Sequence, residues 1–279
     1  MSLKIEGLTK KYNTGNKELL TLKNINLTVG DGEFICILGP SGCGKSTLLN
    51  IIAGFEKPTV GKAFISGREI TEPGSDRAVV FQNHALFPWL KVIENVEFGM
   101  KISGIGKEER TKKALHYLEI MHLTNFKDSF VHELSGGMMQ RVSIARALSL
   151  DSKILLMDEP FSSLDSQTRE LLEYEIQKIW WDTKKTVIFI THNVEEAVLL
   201  ADRVIVMSVD PATIKKEFKI QLARPREIHS NDVAYIVRKI MDELREEVEK
   251  VAKAEYDDNW NTKKDVFLYD GTNNMGTGI

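Results

Sequence analysis

A glycine-rich loop with the sequence GPSGCGKST, residues 39 to 47, constrains the fold of this chain more than any other segment. The apolar run EFICIL comes directly before it, and GKSTLLNIIAGF, residues 44 to 55, continues from it as a predicted helix. The spacing matches G-x-x-x-x-G-K-[ST], in which glycines let backbone N–H groups turn towards a phosphate. A buried strand, a phosphate loop and a helix in this order predict an α/β domain that binds phosphate.

Two side chains of this loop carry predicted chemistry. Lys45 is expected to reach the β and γ oxygens of a nucleotide as a point charge, and the Ser46 hydroxyl is a predicted Mg²⁺ ligand. A purely structural glycine turn is the alternative, and the flanking strand and helix weigh against it. The loop residues predicted to contact the nucleotide are Gly39, Pro40, Ser41, Gly42, Cys43, Gly44, Lys45, Ser46 and Thr47.

Secondary-structure patterns divide the chain into parts. Residues 3 to 38 predict short strands, one of which, LKNINLTV, alternates apolar and polar residues as a half-exposed antiparallel strand does. Residues from about 88 to 150 predict helices. After residue 150, strands and helices alternate, which predicts a parallel sheet with crossover helices. The helical block is therefore an insertion into an α/β domain.

Composition narrows the class of protein. Of the 279 residues, 42% are hydrophobic and 28% charged, which is typical of a soluble globular protein. The formal net charge of −3 argues against a nucleic-acid binder, and no apolar run approaches the length that spans a bilayer. The N-terminus lacks the apolar core of a secretion signal. Two cysteines make no disulfide framework, so a reducing cytosol is the expected setting.

A pair of carboxylates follows a second buried strand, in ILLMDEP at residues 154 to 160. Because ligands of open α/β sheets bind beyond the carboxyl ends of the strands, Asp158 is expected to hold Mg²⁺, directly or through water. Glu159 is then free of the metal and is the candidate general base for an attacking water. The alternative is a solvated acidic pair at the end of a strand.

Two further polar side chains are predicted to lie at the same edge. Gln82 ends the apolar strand AVVFQ and His192 ends TVIFITH. His192 is positioned to hydrogen-bond a γ-phosphate, and Gln82 to hold the metal and the water. The alternative for His192 is structural, since Asn193 and Glu196 have the spacing of a capping box for the next helix.

A second glycine pair occurs in HELSGGMMQR, residues 132 to 141. Ser135, Gly136 and Gly137 precede a predicted helix, whose free N–H groups and positive dipole end attract an anion. This stretch belongs to the helical insertion, away from the phosphate loop of the same chain. The alternative is that Ser135 caps its own helix and Asp165 caps the next, and capping is compatible with phosphate contact.

With these motifs in order, residues 3 to about 225 resemble an ATP-binding cassette (ABC) ATPase. The resemblance rests on the phosphate loop, Gln82, LSGGMMQR, ILLMDEP, SSLD at 162 to 165, and His192. It implies an α/β fold with a phosphate-loop (RecA-like) parallel sheet core, an N-terminal antiparallel β subdomain and an inserted α-helical subdomain. It also implies ATP hydrolysis with ATP and Mg²⁺ as cofactors, and ATPase activity coupled to transport.

The resemblance adds roles that the residues alone do not give. Tyr12 corresponds to the family's aromatic adenine stacker, with an edge-strand tyrosine as the alternative. Two copies, or this chain and a homologous subunit, are expected to face each other head to tail, with Ser163 and Asp165 at the seam. The signature residues that would meet the γ-phosphate held by the second copy are Leu134, Ser135, Gly136, Gly137 and Met138.

Details of the signature favour one subgroup. Met138 stands where the family usually has glutamine, and LSGGM, together with LFPW around Trp89, resembles importers of nitrate, sulfonates, taurine and similar small anions. Phe87 is less typical of that subgroup, and ALFP also occurs in importers of sugars and polyamines. The subgroup implies a peripheral subunit on the cytoplasmic side of the inner membrane. Its partners would be transmembrane permease subunits and, indirectly, an extracytoplasmic solute-binding protein.

The segment from 82 to 100 corresponds to the groove in which a permease helix docks in this family. Leu86, Phe87, Trp89 and Leu90 suit such a groove, and a core patch between subdomains is the alternative. The ATPase domain is expected at residues 1 to 228, with its helical subdomain at about 88 to 150. Residues 229 to 279 are predicted to form a C-terminal helix and a loose tail.

Two other functions are alternatives to the importer hypothesis. A soluble ABC ATPase in DNA repair or translation is the first, although repair types interrupt the cassette with long coiled coils and translation types usually carry two cassettes. A small-molecule kinase is the second, and it has no use for the LSGG stretch.

Overall fold

The computed structural model describes residues 1 to 15 and 17 to 255, which form two sheets and a layer of helices. The strands are β1 (Leu3–Thr14), β2 (Lys17–Val29), β3 (Phe34–Leu38), β4 (Val60–Ile65), β5 (Arg68–Glu69), β6 (Arg77–Val80), β7 (Ile154–Asp158), β8 (Thr186–Thr191), β9 (Arg203–Met207) and β10 (Ile214–Lys219). The helices are α1 (Lys45–Ala53), α2 (Val92–Ile102), α3 (Lys107–Ile120), α4 (Gly136–Leu148), α5 (Ser166–Thr183), α6 (Val194–Leu200) and α7 (Asn231–Glu255).

The central sheet has the strand order β10-β9-β3-β8-β7-β6. Strand β3 pairs in parallel with β8 and β9, and β7 pairs in parallel with β6 and β8, so five strands end at the same edge. Every residue of β3 and β8 is buried, as their almost uninterrupted apolar runs require. The predicted parallel sheet is confirmed. Strand β10, which pairs antiparallel with β9, was not predicted, because its sequence IKKEFK carries the charges of an exposed edge.

The N-terminal sheet is antiparallel, in the order β2-β1-β4-β5, as expected. Its first two strands are longer than the sequence pattern indicated, running from Leu3 to Thr14 and from Lys17 to Val29. Register shifts in β1 break the alternation of apolar and polar residues, which explains why the pattern fades after Leu8. Leu3, Ile5 and Leu8 face the core that this sheet shares with α1.

The helical layer is inserted between β6 and β7, as the sequence predicted. Helices α2, α3 and α4 pack against one another through apolar side chains that include Val96, Met100, Leu118 and Val142, all fully buried. The same core continues to the central sheet, where the Phe34 and Phe189 rings lie 5.9 Å apart. The helical layer is thus packed against the sheet, and the N-terminus of α4 lies within this layer.

Helix α7 docks on the main domain through a buried carboxylate. Glu247 accepts a hydrogen bond from the Val209 backbone N–H at 3.0 Å and forms ion pairs with Lys215 at 3.1 Å and Lys250 at 2.7 Å. The spacing of its apolar residues predicts one stripe, formed by Val233, Ile236, Val237, Ile240, Met241, Leu244 and Val248. Met241 and Val248 are exposed instead, because the helix contacts the domain along a narrower line. The tail predicted after this helix lies outside the described residues.

Replacing Glu247 with alanine is expected to lower the free energy of unfolding by roughly 3 kcal/mol, because it removes the buried carboxylate that Lys215 and Lys250 share and leaves the Val209 N–H without its acceptor. Its neighbour Glu246 pairs with the same lysine at 2.6 Å but is mostly exposed, so Glu246→Ala should cost less than about 1 kcal/mol. Urea unfolding of both variants measures the difference. Equal losses would show that the buried carboxylate does not dock the helix.

A second buried carboxylate predicts a pH effect on stability. Burial first, and then the charge of Glu196, raise the pKa of Glu173 to about 7 from its ordinary 4.5. The folded protein therefore binds more protons than the unfolded chain between pH 4.5 and about 7, so the free energy of unfolding should fall as pH rises through this window. Glu173→Gln should remove this loss and be more stable than the parent at pH 8 by up to about 3 kcal/mol. An equal difference at pH 5 and pH 8 would contradict this assignment.

Of the helices that the structure describes, none combines the length and apolar character needed to cross a membrane.

Candidate nucleotide site

The phosphate loop joins β3 to α1 and has the backbone that its glycines were predicted to provide. Gly42 and Gly44 have φ values of 77° and 93°, in the left-handed region that glycine adopts without strain. A Cβ on Gly44 would also lie 2.9 Å from the Leu22 side chain. These two conformations turn the loop at the carboxyl end of a central strand, with Ser41 and Gly42 exposed.

Lys45 lies buried beneath the loop. Its ammonium donates to the carbonyl oxygens of Gly39 at 2.8 Å and Pro40 at 2.9 Å, and its third N–H has only the weak acceptor Cys43 Sγ at 3.9 Å, which a phosphate oxygen can replace. Cys43 is also buried, and burial raises the pKa of its thiol, partly offset by the Lys45 charge 3.9 Å away. Cys43 is therefore a packing residue of the loop rather than a reactive thiol.

Asp158 ends β7 and faces the first turn of α1. Burial raises the pKa of Asp158, and a hydrogen bond from the Ser46 hydroxyl opposes this shift. One carboxylate oxygen, Oδ1, is buried without a hydrogen-bond partner in the described part of the chain. A buried carboxylate oxygen that lacks a donor, next to a hydroxyl, fits a hard cation such as Mg²⁺.

The same site offers few protein ligands. In residues 1 to 15 and 17 to 255, no group of three or more His, Cys, Asp or Glu side chains is arranged to hold a metal ion. Mg²⁺ is ordinarily held by one or two carboxylates together with substrate phosphates and waters, so a sparse donor set is what nucleotide-bound Mg²⁺ requires. The residues present therefore fit this metal.

Glu159 and His192 form a pair at the open end of the sheet. Their side chains are joined from Glu159 Oε2 to His192 Nδ1 at 3.1 Å, with exposures of 20% and 62%. Glu159 has a φ of 45°, a strained value for a residue with a side chain, and its N–H donates to the Ile190 carbonyl at 3.0 Å. That bond to β8 holds the turn, and the carboxylate contacts the imidazole.

His192 is positioned by the start of α6. Asn193 caps this helix, accepting from the backbone N–H of Glu195 at 2.8 Å, as the structural alternative required. Glu196 does not complete the predicted capping box. Its carboxylate accepts from the Thr191 hydroxyl at 2.6 Å and lies 3.6 Å from Arg169. Asn193 therefore caps α6 while His192, the residue before it, contacts Glu159.

Gln82 lies two residues beyond the end of β6 rather than at its last position, and its side chain is exposed. Among the described residues, its side chain makes no hydrogen bond with Asp158 or Glu159. The loop that follows is held by residues that the sequence analysis missed. Arg146 of α4 donates to the carbonyls of His84 at 3.0 Å and Ala85 at 2.6 Å.

Asn95 of α2 holds the other end of this loop. Its amide oxygen accepts from the Phe87 N–H at 2.8 Å, and its NH₂ donates to the Phe87 and Leu90 carbonyls. Asn95 is fully buried in a helix that is otherwise apolar on this side. In the sequence, the only sign of this role is an amide residue on the apolar face of an amphipathic helix.

Tyr12 lies in β1, close to the beginning of α1. Its hydroxyl is 3.5 Å from the Thr47 Oγ1 and donates to Glu56, while the Lys10 ammonium lies 4.8 Å from its ring centroid. Burial and Glu56 raise the pKa of Tyr12. The residue therefore borders the last residue of the phosphate loop, Thr47.

The glycine pair of the helical layer forms the N-terminus of α4. Ser135 Oγ accepts from the Met138 N–H at 3.3 Å, and Asp165 Oδ1 accepts from the Thr168 N–H at 2.9 Å, so both predicted caps are present. Ser135 and Ser163 are exposed, while Leu134 is buried. A Cβ on Gly136 would meet no atom within 4 Å, which shows that the space in front of this helix is open.

Comparison with known proteins gives the family. The family model described as "ABC transporter" matches residues 22 to 162. An uncharacterised ABC transporter ATP-binding protein of Methanocaldococcus jannaschii is 48% identical over 91% of this chain and 95% of its own length. The nitrate import ATP-binding protein NrtD of Synechocystis is 46% identical over 85% of this chain and 90% of its own. The taurine import ATP-binding protein TauB of Roseobacter denitrificans is 46% identical over 79% of this chain and 83% of its own length.

Solved structures agree with these relatives. The dimeric structure of an ATP-binding cassette in a post-hydrolysis state, bound to ADP and Pi, is similar with a TM-score of 0.73 at 35% identity, over 79% of this chain and all of that one. The predicted fold and the predicted resemblance are both confirmed. With its phosphate loop, paired carboxylates and signature helix in the arrangement described, the chain belongs to the ABC transporter family and is one of its ATP-binding, ATP-hydrolysing subunits.

Proposed function

We propose that this chain powers an importer of a small anion, such as nitrate, taurine or another sulfonate, by hydrolysing ATP on the cytoplasmic face of the cell membrane. The relatives named as nitrate and taurine import proteins support this cargo class, each at 46% identity. The signature LSGGM, with Met138 in place of glutamine, points the same way. The observation that carries the activity itself is the convergence of Lys45, Asp158, Glu159 and His192 at one edge of the sheet.

ATP binding is assigned to the phosphate loop and its surroundings. The backbone N–H groups of residues 39 to 47 receive the β-phosphate, and the third N–H of Lys45 reaches the β and γ oxygens. Tyr12 stacks on the adenine. Asp158, Ser46 and Gln82 would hold Mg²⁺, which supplies positive charge to the phosphate oxygens when bound.

The hydrolytic step is assigned to Glu159. Its carboxylate accepts a proton from a water that attacks the γ-phosphorus, the bond from that phosphorus to the bridging oxygen breaks, and ADP and phosphate are the products. His192 donates its hydrogen bond to the γ-phosphate or keeps Glu159 in place, since the two side chains are already 3.1 Å apart. The φ of 45° at Glu159 is consistent with a residue held for catalysis.

The second half of each site is assigned to another subunit. Ser135, Gly136 and Gly137 lie at an open helix N-terminus on a different layer from the phosphate loop, and a related cassette is dimeric. Two subunits, identical or homologous, would face each other head to tail, with Leu134 to Met138 of one against the nucleotide of the other. Ser163 and Asp165 would line the seam. Loss of the γ-phosphate removes the bridge, and the pair opens.

Permease docking is assigned to the loop from 82 to 91. Trp89 is 69% exposed beside Phe87, with 5.7 Å between their ring centroids, while Leu86 packs inward against the core. An exposed tryptophan beside a half-buried phenylalanine, on a loop held by Asn95 and Arg146, suits a short partner helix. The permease in turn would receive its anion from an extracytoplasmic solute-binding protein.

Affinity purification of the tagged chain from its own cells, after mild detergent extraction, tests this function. The expected partners are two transmembrane subunits, and the isolated complex should hydrolyse ATP faster when reconstituted with an anion-loaded binding protein. Recovery of ribosomes or DNA-repair proteins instead would favour the soluble alternative. A Trp89→Ala variant should lose the transmembrane subunits while its basal ATPase activity is retained.

A further inference from the structure

A pocket of about 560 Å³ lies between α5, α6 and residues 225 to 229, next to the catalytic edge but separate from the phosphate loop. Helix α5 begins directly after Asp165, and α6 begins two residues after His192. The third wall is the segment that leads into α7. No role in nucleotide binding or hydrolysis has been assigned to this pocket.

Negative charge dominates its lining. Each wall contributes carboxylates, namely Glu170 and Glu173 from α5, Glu195 and Glu196 from α6, and Glu227 from the third wall. The positive groups have partners on the protein, although the Arg169 Nε makes no hydrogen bond among the described residues. Arg226 donates to backbone carbonyls that include those of Val198 and Ala201, both at 2.6 Å, and Arg169 pairs with Glu196 at 3.6 Å. His229 completes the third wall.

Two acceptors on α5 face this pocket without a donor. Glu173 is 7% exposed, and its carboxylate has no hydrogen bond or ion pair among the residues that the structure describes. Gln177, one helical turn further, has its Oε1 buried and likewise without a partner in the described part of the chain. A buried acceptor that lacks a donor is costly, so the Gln177 Oε1 beside the unpaired Glu173 carboxylate indicates that a donor is supplied from the pocket.

We propose that this pocket binds a small organic cation, whose ammonium or guanidinium group donates hydrogen bonds to Glu173 and Gln177. A monatomic metal ion does not fit as well, because the described residues hold no cluster of three or more metal-ligating side chains in suitable geometry. A polyatomic cation brings several N–H donors, which matches two acceptors spaced by one helical turn. The pocket volume accepts an amine of several carbon atoms.

The pocket is connected to the catalytic edge through two residues. Arg169, on the α5 wall, pairs with Glu196 of α6, and Glu196 in turn accepts from Thr191, the residue before His192. A cation that competes with Arg169 for these carboxylates would change how firmly Glu196 holds the turn at His192. The bound cation therefore acts as an effector of the subunit.

Isothermal titration of the full-length chain with agmatine, which carries both an ammonium and a guanidinium group, tests this site. Saturable binding of one agmatine per chain is expected. Because a cation favours the ionised form of Glu173, whose pKa is raised to about 7, binding at pH 6 should release about one proton, seen as a dependence of the heat on buffer ionisation enthalpy. The neutral analogue 1,4-butanediol should not bind.

Matched variants decide between the site and a general attraction of cations. Glu173→Gln keeps the shape and should weaken agmatine roughly tenfold or more, with no proton release. Gln177→Leu, a second variant, should also weaken binding, while Glu175→Gln on the same helix but outside the pocket should leave it unchanged. No saturable binding, parental affinity in the Glu173→Gln and Gln177→Leu variants, or binding of the diol as tight as that of agmatine would each overturn the proposal.

Discussion

Glu159→Gln is expected to reduce the rate of ATP hydrolysis by a factor of about 100 to 10,000, the contribution usual for a general base. Glutamine keeps the size of the side chain and a hydrogen bond to His192 but cannot accept a proton from water. ATP affinity should be unchanged, since Lys45 and the loop are untouched. The variant should therefore accumulate as an ATP-bound dimer, visible by light scattering with Mg²⁺ and ATP.

A control for this experiment is Glu119→Gln, which removes an exposed carboxylate of α3 far along the chain from the site. It should hydrolyse ATP at the parental rate and remain monomeric or dimeric as the parent does. If Glu159→Gln hydrolysed ATP at the parental rate, the general base would be another group, and the contact between Glu159 and His192 would have a structural role only.

Lys45→Ala is expected to weaken ATP binding by roughly a hundredfold or more, because charge-assisted hydrogen bonds to phosphate oxygens contribute roughly 1.5–3 kcal/mol each. The same ammonium also bonds the carbonyls of Gly39 and Pro40, so its loss loosens the loop that should hold the β-phosphate. Fluorescent ATP titration measures the change.

Lys57→Ala serves as the matched control, since Lys57 is an exposed lysine shortly after α1. Its ATP affinity should equal that of the parent. If Lys45→Ala also bound ATP with parental affinity, the phosphate loop would not be the nucleotide site, and the assignment of Asp158 and Ser46 to Mg²⁺ would fall with it.

The sequence allowed much of this site to be predicted, because its chemistry is local. The phosphate loop needs glycines at fixed spacing. Strand β7 ends at Asp158, so Asp158 and the next residue, Glu159, lie at the edge of the sheet. Placing His192 at the same edge as Glu159 required one further inference, that parallel strands end together, and the structure shows the two side chains 3.1 Å apart.

Long-range contacts were beyond the sequence. Nothing in the local pattern shows that Arg146 of α4 donates hydrogen bonds to the loop after Gln82. Nor does it show that the Glu196 carboxylate lies near Arg169 instead of completing a capping box. Glu173 looks like an ordinary surface residue of an amphipathic helix, and it is buried only because α6 and residues 225 to 229 cover it. Such environments depend on how elements separated in sequence pack, which a single chain's periodicity does not encode.

Mixing two inactive variants gives the most direct test of nucleotide being shared between subunits. Lys45→Ala damages the phosphate loop, and Gly136→Arg places a bulky cation in the open space before α4, where its own chain has no atom within 4 Å of the new Cβ. Each variant alone should be inactive. A 1:1 mixture should recover about a quarter of parental ATPase activity, because half of randomly formed dimers are mixed and each holds one intact site. Full activity of Gly136→Arg alone, or a mixture that stays inactive, would contradict the account.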